Sequence, residues 1–396
     1  MTKKVLIIVE NLPVPFDSRV WKEARSLCEA GYVVSVLCPK GKGYQKSYEF
    51  LEGVHIYRHP APKEGNSPLG YVWEFSCALF FEFLFSWWIF LRRGFHVIQG
   101  CNPPDDIFLV ALPFKLLGVR YIFDHHDANP ELYLSKYGRK DLLYKAQVWL
   151  EKMTYRTSRV VMATNNSYRE LAISRGGLAP ESVFVVRNGP DLETFRPVPP
   201  NPAVRHGKQF LVGYVGTMSI QEGLDILLEV AQHIRNEGRN DVHFTCVGGG
   251  PGLAGLREMA KRKNLEDTVT FTGRVPEQEL LEVLSTADVC VNPDKPCEMN
   301  DISTMIKIME YMALSKPIVQ FDLKEGRFSA QEASLYSNGN GNKVADFAEK
   351  ILWLLEHPEE RKKMGEFGRK RVETELAWDY SVKNLLAAYD KAFERT

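Results

Sequence analysis

The sequence predicts an α/β protein that contains two Rossmann-like domains. Short runs rich in valine and isoleucine alternate with helical patterns along nearly the whole chain, which is typical of parallel sheets covered by helices on both faces. The alternation stops at a proline-rich stretch, 195–208, and then starts again. A length of 396 residues also favours two domains over one core. Ligands of such sheets bind beyond the carboxyl ends of the strands, so we expect the domains to face a central cleft.

The first domain is predicted to span residues 1–196. It opens with a buried strand, VLIIV, and continues with a helix over about 17–30 that carries apolar residues at helical spacing. Each later strand is a β-branched or apolar run that follows a helix-like stretch. These predicted strands are VVSVLC (33–38), HVIQG (96–100), VRYIFD (119–124) and VVMAT (160–164).

The second domain is predicted to span 209–377, after a linker at 197–208 whose prolines and polar residues disfavour regular structure. The same rhythm of strand, turn and helix returns there. Its predicted strands have the sequences FLVGYVG, VHFTCVG, VTFTG, DVCVN and PIVQF.

Composition excludes several classes of protein. Fifty basic residues balance 50 acidic ones, whereas a general nucleic-acid binder carries a basic excess. The seven cysteines form no CxxC pair, so we expect reduced thiols in a cytoplasmic protein and neither disulfides nor a cysteine metal site. The opening MTKKVLIIVE is too short in its apolar part for a signal peptide.

The segment 69–93 is long and apolar enough to span a bilayer. Two carboxylates within it, Glu74 and Glu82, would make a span costly, and a span would separate strands that should share one sheet. Two interpretations remain. The segment is a helix buried on the first sheet, or it lies in the membrane interface with Trp73, Trp87 and Trp88 at headgroup depth.

The segment 300–319 combines a polar loop, an amphipathic helix and a strand. Asp301 or Ser303 can cap the helix. Lys307 lies near the helix N-terminus, where the helix dipole disfavours a cation. An anion held there by backbone N–H groups and Lys307 would explain this placement, and Glu310 could accept hydrogen bonds from sugar hydroxyls. A solvated ion pair between Lys307 and Glu310 is the alternative.

Two glycine turns follow predicted strands of the second domain. Gly216, in VGTMSIQEGLD, permits the backbone to approach an anion closely. CVGGGPG (246–252) precedes another helix, whose N-terminus could face the same ligand. Tight strand-to-helix turns are the simpler interpretation of Gly248 and Gly249.

Titratable residues are dense in FDHHDANPELY (123–133), directly after a strand of the first domain. The carboxyl end of a strand is where an active site of this architecture lies, and histidines with carboxylates can accept protons or anchor ligands. The run lacks the usual spacing of metal ligands. Arg19 and Asn102 also follow strands and could face the cleft, Arg19 to hold a phosphate.

Taken together these segments resemble the retaining glycosyltransferases of family 4, which have the GT-B fold. The resemblance covers nearly the whole chain. Within the family, the sequence is most similar to the bacterial branch that builds O-antigen and other surface polysaccharides. Its markers, in order, are DSRVWKEA, DHHDANPE, VVRNGPD, VGT with EGLD, VGGGPG, FTGRV and MIKIMEYMALSKPIV. In that family the second domain binds a nucleotide-sugar, the first binds the acceptor, and the last helix, here 378–396, packs back on the first domain.

The resemblance implies roles for individual residues. Glu310 would hold the ribose, backbone N–H groups at 303–305 would hold the diphosphate and donor sugar, and 273–275 would lie by the base. The implied donor-binding residues are Gly216, Thr217, Gly250, Arg274, Val275, Asp301, Ser303, Thr304, Met305, Lys307 and Glu310. The implied catalytic residues are His126, Asp127 and Lys307. The implied acceptor-binding residues are Arg19, Asn102, His125 and Glu131.

Three positions depart from the family pattern. Thr217 and Glu222 stand where the family usually has Arg and Lys, and Ile302 replaces a Glu that Asp301 could substitute. The resemblance implies transfer of a hexose or N-acetylhexosamine, with retention, from a nucleotide diphosphate sugar such as a UDP-sugar to a lipid-linked or growing glycan, without metal or other cofactor. The alternatives are a GT-B-like sugar-nucleotide epimerase and a non-catalytic partner subunit. We expect a cytoplasmic protein, with possible peripheral contact at the inner face of the cell membrane.

Overall fold

A computed structural model describes residues 2–61, 68–338 and 341–394. It divides the chain into two compact units. The N-terminal unit comprises Met1–Asn188 together with Ser381–Thr396, and the C-terminal unit comprises Gly189–Tyr380. Residues 395–396 of the predicted last helix lie outside the described residues.

The N-terminal unit has an eight-stranded sheet. Its strands are β1 (Lys4–Val9), β2 (Val33–Pro39), β3 (Tyr48–Leu51), β4 (Val54–His59), β5 (Val97–Cys101), β6 (Arg120–His125), β7 (Val160–Ala163) and β8 (Val183–Val185). Its helices are α1 (Ser18–Glu29), α2 (Pro68–Arg93), α3 (Phe108–Leu116), α4 (Asn129–Tyr137), α5 (Leu142–Thr157) and α6 (Asn166–Ser174).

The strand order in this sheet is β3-β4-β2-β1-β5-β6-β7-β8, and β3 runs antiparallel to β4. The other neighbours pair in parallel, and the central strand β1 is buried from Val5 to Val9. The chain moves outward in opposite directions from β1 and β5, so the loops after these two strands flank the topological switch point.

The C-terminal unit has a six-stranded sheet. Its strands are β9 (Phe210–Val215), β10 (Val242–Val247), β11 (Val269–Gly273), β12 (Val289–Asn292), β13 (Ile318–Phe321) and β14 (Ser334–Ser337). The helices that follow Gly189 are α7 (Leu224–Asn236), α8 (Leu253–Arg262), α9 (Glu277–Thr286), α10 (Glu298–Ile302), α11 (Ile306–Ala313), α12 (Lys324–Ala330), α13 (Lys343–Glu356), α14 (Pro358–Arg371) and α15 (Trp378–Phe393).

All strand pairs in this second sheet are parallel, in the order β11-β10-β9-β12-β13-β14. This is the Rossmann strand order, in which the switch point lies between the first and fourth strands. Here those strands are β9 and β12. The predicted α/β class and the two parallel sheets are therefore confirmed.

The predicted linker differs from the structure. The structure places 197–208 in the C-terminal unit. Backbone N–H groups of this proline-rich segment donate hydrogen bonds to side chains at the end of α9. The N–H of Val198 donates to Ser285 Oγ (3.1 Å) and that of Asn201 to Thr286 Oγ1 (2.8 Å). The units meet in sequence at Asn188 and Gly189 instead of at residue 196.

Within the N-terminal unit, the last helix contributes to the core from Ser381 onward. The Ser381 hydroxyl donates to the carbonyl of Arg187 at 2.6 Å. The buried Tyr389 hydroxyl donates to Oε1 of Gln99 on β5. A segment distant in sequence thus helps to fix the middle of the first sheet.

Helix α2 buries polar and small side chains and exposes bulky apolar ones, the reverse of the usual arrangement. Its sequence has a narrow stripe of polar or small residues at helical spacing, which consists of Glu74, Ala78, Glu82 and Ser86. The helix buries the last three of these together with Ile89, while Trp73 remains 70% exposed. By length and composition alone, Trp73–Arg93 could cross a membrane. However, β4 before it and β5 after it belong to the same sheet, so a crossing would separate strands of one sheet.

The tryptophans of α2 do not behave alike. Trp88 is exposed, but the ring of Trp87 packs on Phe114 of α3, with centroids 4.5 Å apart. For Trp87 this contact favours the first of the two interpretations, a packed helix, because its ring helps to hold α3 on α2.

Candidate active site

The glycine turns of the C-terminal unit come together at the carboxyl ends of β9, β10 and β11. The N–H of Gly216 donates to the carbonyl of Val247 (3.1 Å), and that of Gly248 donates to the carbonyl of Gly273 (2.9 Å). A Cβ atom at Gly248 would lie 2.0 Å from the Gly216 carbonyl oxygen. Glycine is therefore required for the close packing of these loops, independently of any ligand.

A second crowded position is Gly216 itself. A Cβ atom there would lie 2.7 Å from the Tyr214 hydroxyl and 3.3 Å from Cε of Lys307. The turn after β9 therefore lies directly against the side chain that the sequence assigned to the diphosphate. Gly250 similarly packs on Met218, whose N–H donates to the Gly249 carbonyl (3.0 Å).

Lys307 is buried between two carboxylates at the switch point of the second sheet. Its Nζ lies 3.0 Å from Oδ1 of Asp294, which follows β12, and it also pairs with Oε2 of Glu222, which follows β9. The Tyr214 hydroxyl donates to the same Glu222 oxygen (3.0 Å). The ammonium thus already has two carboxylate partners, neither of which is the Glu310 of the alternative prediction, so Lys307 can meet a diphosphate only by exchanging one of them.

The pKa values in this cluster follow from burial and mutual charge. Burial alone would lower the pKa of Lys307, but Asp294 and Glu222 raise it above its ordinary value. Burial, together with the charge of Glu222, raises the pKa of Asp294 to about 7. Lys307 and Glu222 therefore form a compensated pair, while Asp294 titrates near neutral pH. Its Oδ2 atom is buried and has no hydrogen-bond partner among the described residues.

Helix α11 begins one residue before Lys307. Its N-cap residue is Met305, and within the described residues no side chain caps this end of the helix. An N-terminus of this kind offers backbone N–H groups and a partial positive charge to an anion. Ser303 and Thr304 precede it, and Glu310 lies one turn further along the same helix.

Asp301 has a structural partner. It lies in α10, and its Oδ1 accepts the N–H of Lys324 (2.8 Å) at the start of α12. This capping bond engages the carboxylate that was expected to replace the missing Glu of the family pattern. The prediction that Asp301 caps the Lys307 helix is also wrong, since α11 begins at Ile306.

The remaining predicted donor residues lie around the same edge. The carbonyl oxygen of Thr217 lies 3.1 Å from the Tyr214 hydroxyl, whose single proton it shares with Glu222. The side chain of Arg274 approaches Gly249, with Cγ 3.4 Å from the position of a Cβ atom there. Val275 packs against the apolar cluster that contains Leu281 and Tyr311.

In the N-terminal unit, the ring of His126 is anchored by Asp124 at the carboxyl end of β6. The distance from His126 Nε2 to Asp124 Oδ2 is 2.6 Å. Burial alone would lower the pKa of His126, but Asp124 raises it above its ordinary value. His126 is therefore protonated more readily than an ordinary histidine, which favours a role as hydrogen-bond donor over a role as base.

Arg19 is an internal partner of the same carboxylate. Its Nη2 lies 2.7 Å from Asp124 Oδ1 and 3.1 Å from Glu23 Oε1, and its Nη1 donates to the carbonyl of Val186 (2.8 Å). These contacts engage both ends of the buried guanidinium. The prediction that Arg19 holds an acceptor phosphate is therefore corrected, since the residue positions Asp124 and hence His126.

Asn102 holds the turn that presents His126 and Asp127. Its Oδ1 accepts the N–H groups of both residues, at 2.6 and 3.2 Å, and its Nδ2 donates to the Asp127 carbonyl (2.7 Å) and to Asp105 (2.9 Å). The side chain is buried, so the prediction that it binds acceptor is corrected to a positioning role. Burial raises the pKa of Asp127.

Two further acceptor predictions are corrected by burial. His125 is stacked on Tyr168 with centroids 4.5 Å apart, and its Nδ1 lies 3.1 Å from the Tyr155 hydroxyl. Burial and the nearby His126 lower the pKa of His125 to about 3. Glu131 is buried and paired with Arg175 at 2.6 Å. Both residues therefore belong to the core under α4 and α5.

Several residues of these clusters were not among the predicted site residues. Prominent among them are Asp124, Asp294 and Tyr214; a fourth, Glu222, was noted only as a departure from the family pattern. Asp124 meets Arg19 across 105 positions and Tyr214 meets Lys307 across 93. Asp124 could have been found, because it stands inside the titratable run. Nothing local distinguishes Tyr214 from any other aromatic residue in a buried strand.

A metal would fit poorly at the first of these clusters. Among the described residues, Cys101, Asp124 and His126 bring their ligand atoms within 4.8 Å of one another. However, Asp124 already neutralises Arg19, and burial raises the pKa of the Cys101 thiol well above its ordinary value. A divalent cation would have to displace the guanidinium and deprotonate a buried thiol.

Comparison with known proteins covers both units. Residues 17–189 match the family model of the glycosyl transferase 4-like domain, and residues 209–357 match that of glycosyl transferases group 1. An alpha-D-kanosaminyltransferase from Streptomyces kanamyceticus is 26% identical over 156 residues, which are 39% of this chain and 39% of that protein. The matched region is thus well under half of that relative's length.

Solved structures match over nearly the full length. A sucrose-phosphate synthase from Thermosynechococcus elongatus has a TM-score of 0.78 at 19% identity and covers 99% of both chains. Anabaena Alr3699/HepE in complex with UDP and glucose has a TM-score of 0.73 at 13% identity, covering 98% of this chain and 99% of that one. These likenesses show a shared fold. With one glycosyltransferase domain matched in each unit, the chain belongs to the GT-B glycosyltransferases.

Proposed function

We propose that the protein transfers a hexose or N-acetylhexosamine, with retention of configuration, from a nucleotide diphosphate sugar to a lipid-linked or growing glycan. The observation that carries the donor assignment is the N-terminus of α11 beside the glycine turns at the switch point of the second sheet. The neighbour solved with UDP and glucose supports a UDP-sugar as donor. The resemblance to the O-antigen branch supports a role in surface polysaccharide synthesis.

The chemistry expected of such a site is positioning and electrostatic stabilisation. Backbone N–H groups at the start of α11 would stabilise the charge that develops on the leaving diphosphate. The diphosphate itself would take the acceptor proton, so no enzyme carboxylate needs to form a covalent bond to the sugar. His126, held by Asp124, would donate a hydrogen bond near the reacting carbon, and Asp124 favours the protonated ring that such a donor needs.

The carboxylates around Lys307 require an exchange of partners. A diphosphate that approaches this buried pair meets the charge of Glu222 and, above neutral pH, that of Asp294. Donor binding would be favoured if the Lys307 ammonium turned from Glu222 toward the phosphate oxygens. We propose that no metal takes part, because the donor edge needs only this cation and the helix N-terminus.

The proposal is tested by calorimetric titration of the full chain with UDP, GDP, dTDP and CMP. Selective binding of one nucleoside diphosphate supports the donor site and identifies the base. No binding to any of them contradicts the proposal. A product formed from the bound nucleotide-sugar without any acceptor would instead favour the epimerase alternative.

Replacing Glu310 with alanine should weaken nucleotide binding by roughly 1–3 kcal/mol, because the ribose hydroxyls would lose a charged hydrogen-bond acceptor. The melting temperature should change little. Calorimetric titration measures the affinity, and Glu279→Ala, an exposed glutamate on α9, is the matched control. An unchanged affinity in Glu310→Ala would disprove the ribose assignment.

We also propose peripheral contact with the inner face of the cell membrane through 69–93. A lipid-linked acceptor requires the enzyme to work at a bilayer, and the exposed aromatic residues of α2 have the character of an interfacial helix.

A further inference from the structure

We propose that α2, α3 and α5 form one surface that binds bilayers containing anionic lipid, with α5 supplying the cationic part. The inference deepens the membrane contact proposed above and extends it to two helices outside 69–93. It rests on four features of the N-terminal unit: the position of the helices on the sheet, their mutual contacts, their outward residues and their charge.

The three helices lie in one layer. They connect β4 to β5, β5 to β6 and β6 to β7, and each connection moves in the same direction across the sheet. Crossovers between parallel strands are right-handed, so connections that move in one direction place their helices on the same face. The three helices therefore cover the same face of the sheet, and their outward sides face away from it.

Side chains link neighbouring helices in this layer. Trp87 of α2 packs on Phe114 of α3. At the end of α3, Nζ of Lys115 donates to the carbonyl of Thr157, the last residue of α5. The order across the layer is thus α2, α3, α5, and the helices form a continuous surface.

The outward faces of α2 and α3 are apolar. Leu91 is 80% exposed and Leu116 is 90% exposed, and further exposed apolar residues lie on the same two helices; contiguous exposed apolar residues mark an interaction surface. The exposed residues recur at helical spacing, which places each set on one face. They are Trp73, Phe80, Leu84, Trp88 and Leu91 on α2, and Leu109, Leu112 and Leu116 on α3.

The outward face of α5 combines a tryptophan with cations. Trp149 is 55% exposed, and the exposed Lys145 and Lys152 lie about one turn before and after it. Leu142 and Arg156 continue the same stripe at either end. An aromatic ring between basic residues matches the interface of an anionic bilayer, where the ring enters the headgroup region and the ammonium groups meet phosphates.

The charge of the surface supports this partner over a neutral one. Of the three glutamates in α2 and α5, Glu82 and Glu151 are buried, and Glu74 is half-buried in the first part of α2, distant in sequence from the cations of α5. Among the described residues, no carboxylate forms an ion pair with Lys145, Lys152 or Arg156.

The end of α2 adds a further basic position. Arg92 lies over the ring of Trp88, 4.5 Å from its centroid. It lines a cavity of about 430 Å³ together with Tyr48, Tyr57, Trp88 and Arg93. The two guanidinium groups in its lining would attract a lipid phosphate.

The test is flotation of the full chain with phosphatidylcholine vesicles, with and without phosphatidylglycerol. The wild type should float only with the anionic vesicles, and less at high salt. Lys145→Gln with Lys152→Gln should weaken the partition by about 30-fold. Each lysine near an anionic surface contributes a similar binding free energy, and the double variant loses both contributions. Lys362→Gln with Lys370→Gln, on exposed positions of α14, is the matched control.

A second pair of variants tests the apolar part. Trp149→Ser should reduce flotation, whereas Trp353→Ser, an exposed tryptophan of the C-terminal unit, should not. The inference is overturned if the wild-type protein does not bind anionic vesicles. It is also overturned if the double lysine variant binds them as strongly as the wild type does. A surface that instead mediates self-association, seen by sedimentation, also overturns it. Calorimetric UDP binding by the same variants tests the donor site separately, so failure of one proposal is distinguishable from failure of the other.

Discussion

Replacing Arg19 with methionine should lower the free energy of unfolding by about 3–5 kcal/mol, which is the usual cost of breaking a buried ion pair from one side. The substitution leaves Asp124 buried with His126 as its remaining cationic partner. Asp124 is held ionised because Arg19 and His126 outweigh burial, which alone would raise its pKa. Burial and the charge of Asp124 raise the pKa of the neighbouring Glu23, which makes Glu23 harder to ionise, so Asp124 bears most of the loss.

Chemical denaturation at neutral pH measures this effect. Arg25→Met is the matched control, because Arg25 lies on the same helix but forms exposed pairs with Glu29 and Glu52, which contribute little to stability. Combining Arg19→Met with Asp124→Asn should recover part of the loss, since the uncompensated charge is then removed. Equal stability of the Arg19 and Arg25 variants would show that the internal pair does not hold β6 and α1 together.

The architecture could be predicted from local patterns because each strand and helix is encoded within a few residues. The runs VLIIV and FLVGYVG and the glycine turns at Gly216 and Gly248 became strands and tight turns as expected. Fold class therefore followed from repetition of short signals. The linker at 197–208 was predicted from composition alone. Composition does not reveal that backbone N–H groups of this segment donate hydrogen bonds to side chains of α9.

The partners of the charged residues could not be predicted in this way. Arg19 and Asp124 are separated by 105 positions, and Lys307 and Glu222 by 85. A single sequence identifies residues that can carry charge, but the strand order decides which of them meet. For the same reason, Arg19 and Lys307 appeared available for phosphates, although the structure pairs both with carboxylates.

The orientation of α2 illustrates a different limit. Its narrow polar stripe was compatible with either burial or an interface, because amphipathicity defines two faces without deciding which one packs on the sheet. The structure buries the stripe containing Glu82 and Ser86 and exposes the bulky side. The larger apolar face was thus left for another partner.

Replacing Lys307 with methionine is the second change for which we expect a large effect. It leaves Glu222 and Asp294 close together in a buried site without their shared cation. The free energy of unfolding should fall by about 3–5 kcal/mol, and nucleotide diphosphate binding should be lost. Lys295→Met, which removes a more exposed pair with Asp225, is the matched control.

Loss of binding in that variant has two possible causes, and a second substitution separates them. Combining Lys307→Met with Glu222→Gln removes a charge that lysine had compensated, so stability should partly recover. If Lys307 contacts the diphosphate, binding should remain lost in the recovered double variant. Glu222→Gln alone should then bind UDP more tightly than the wild type, because the ammonium no longer has to leave a carboxylate to meet the phosphate. Recovery of UDP binding in the double variant would instead mean that Lys307 only maintains the fold, and that the N-terminus of α11 holds the diphosphate without it.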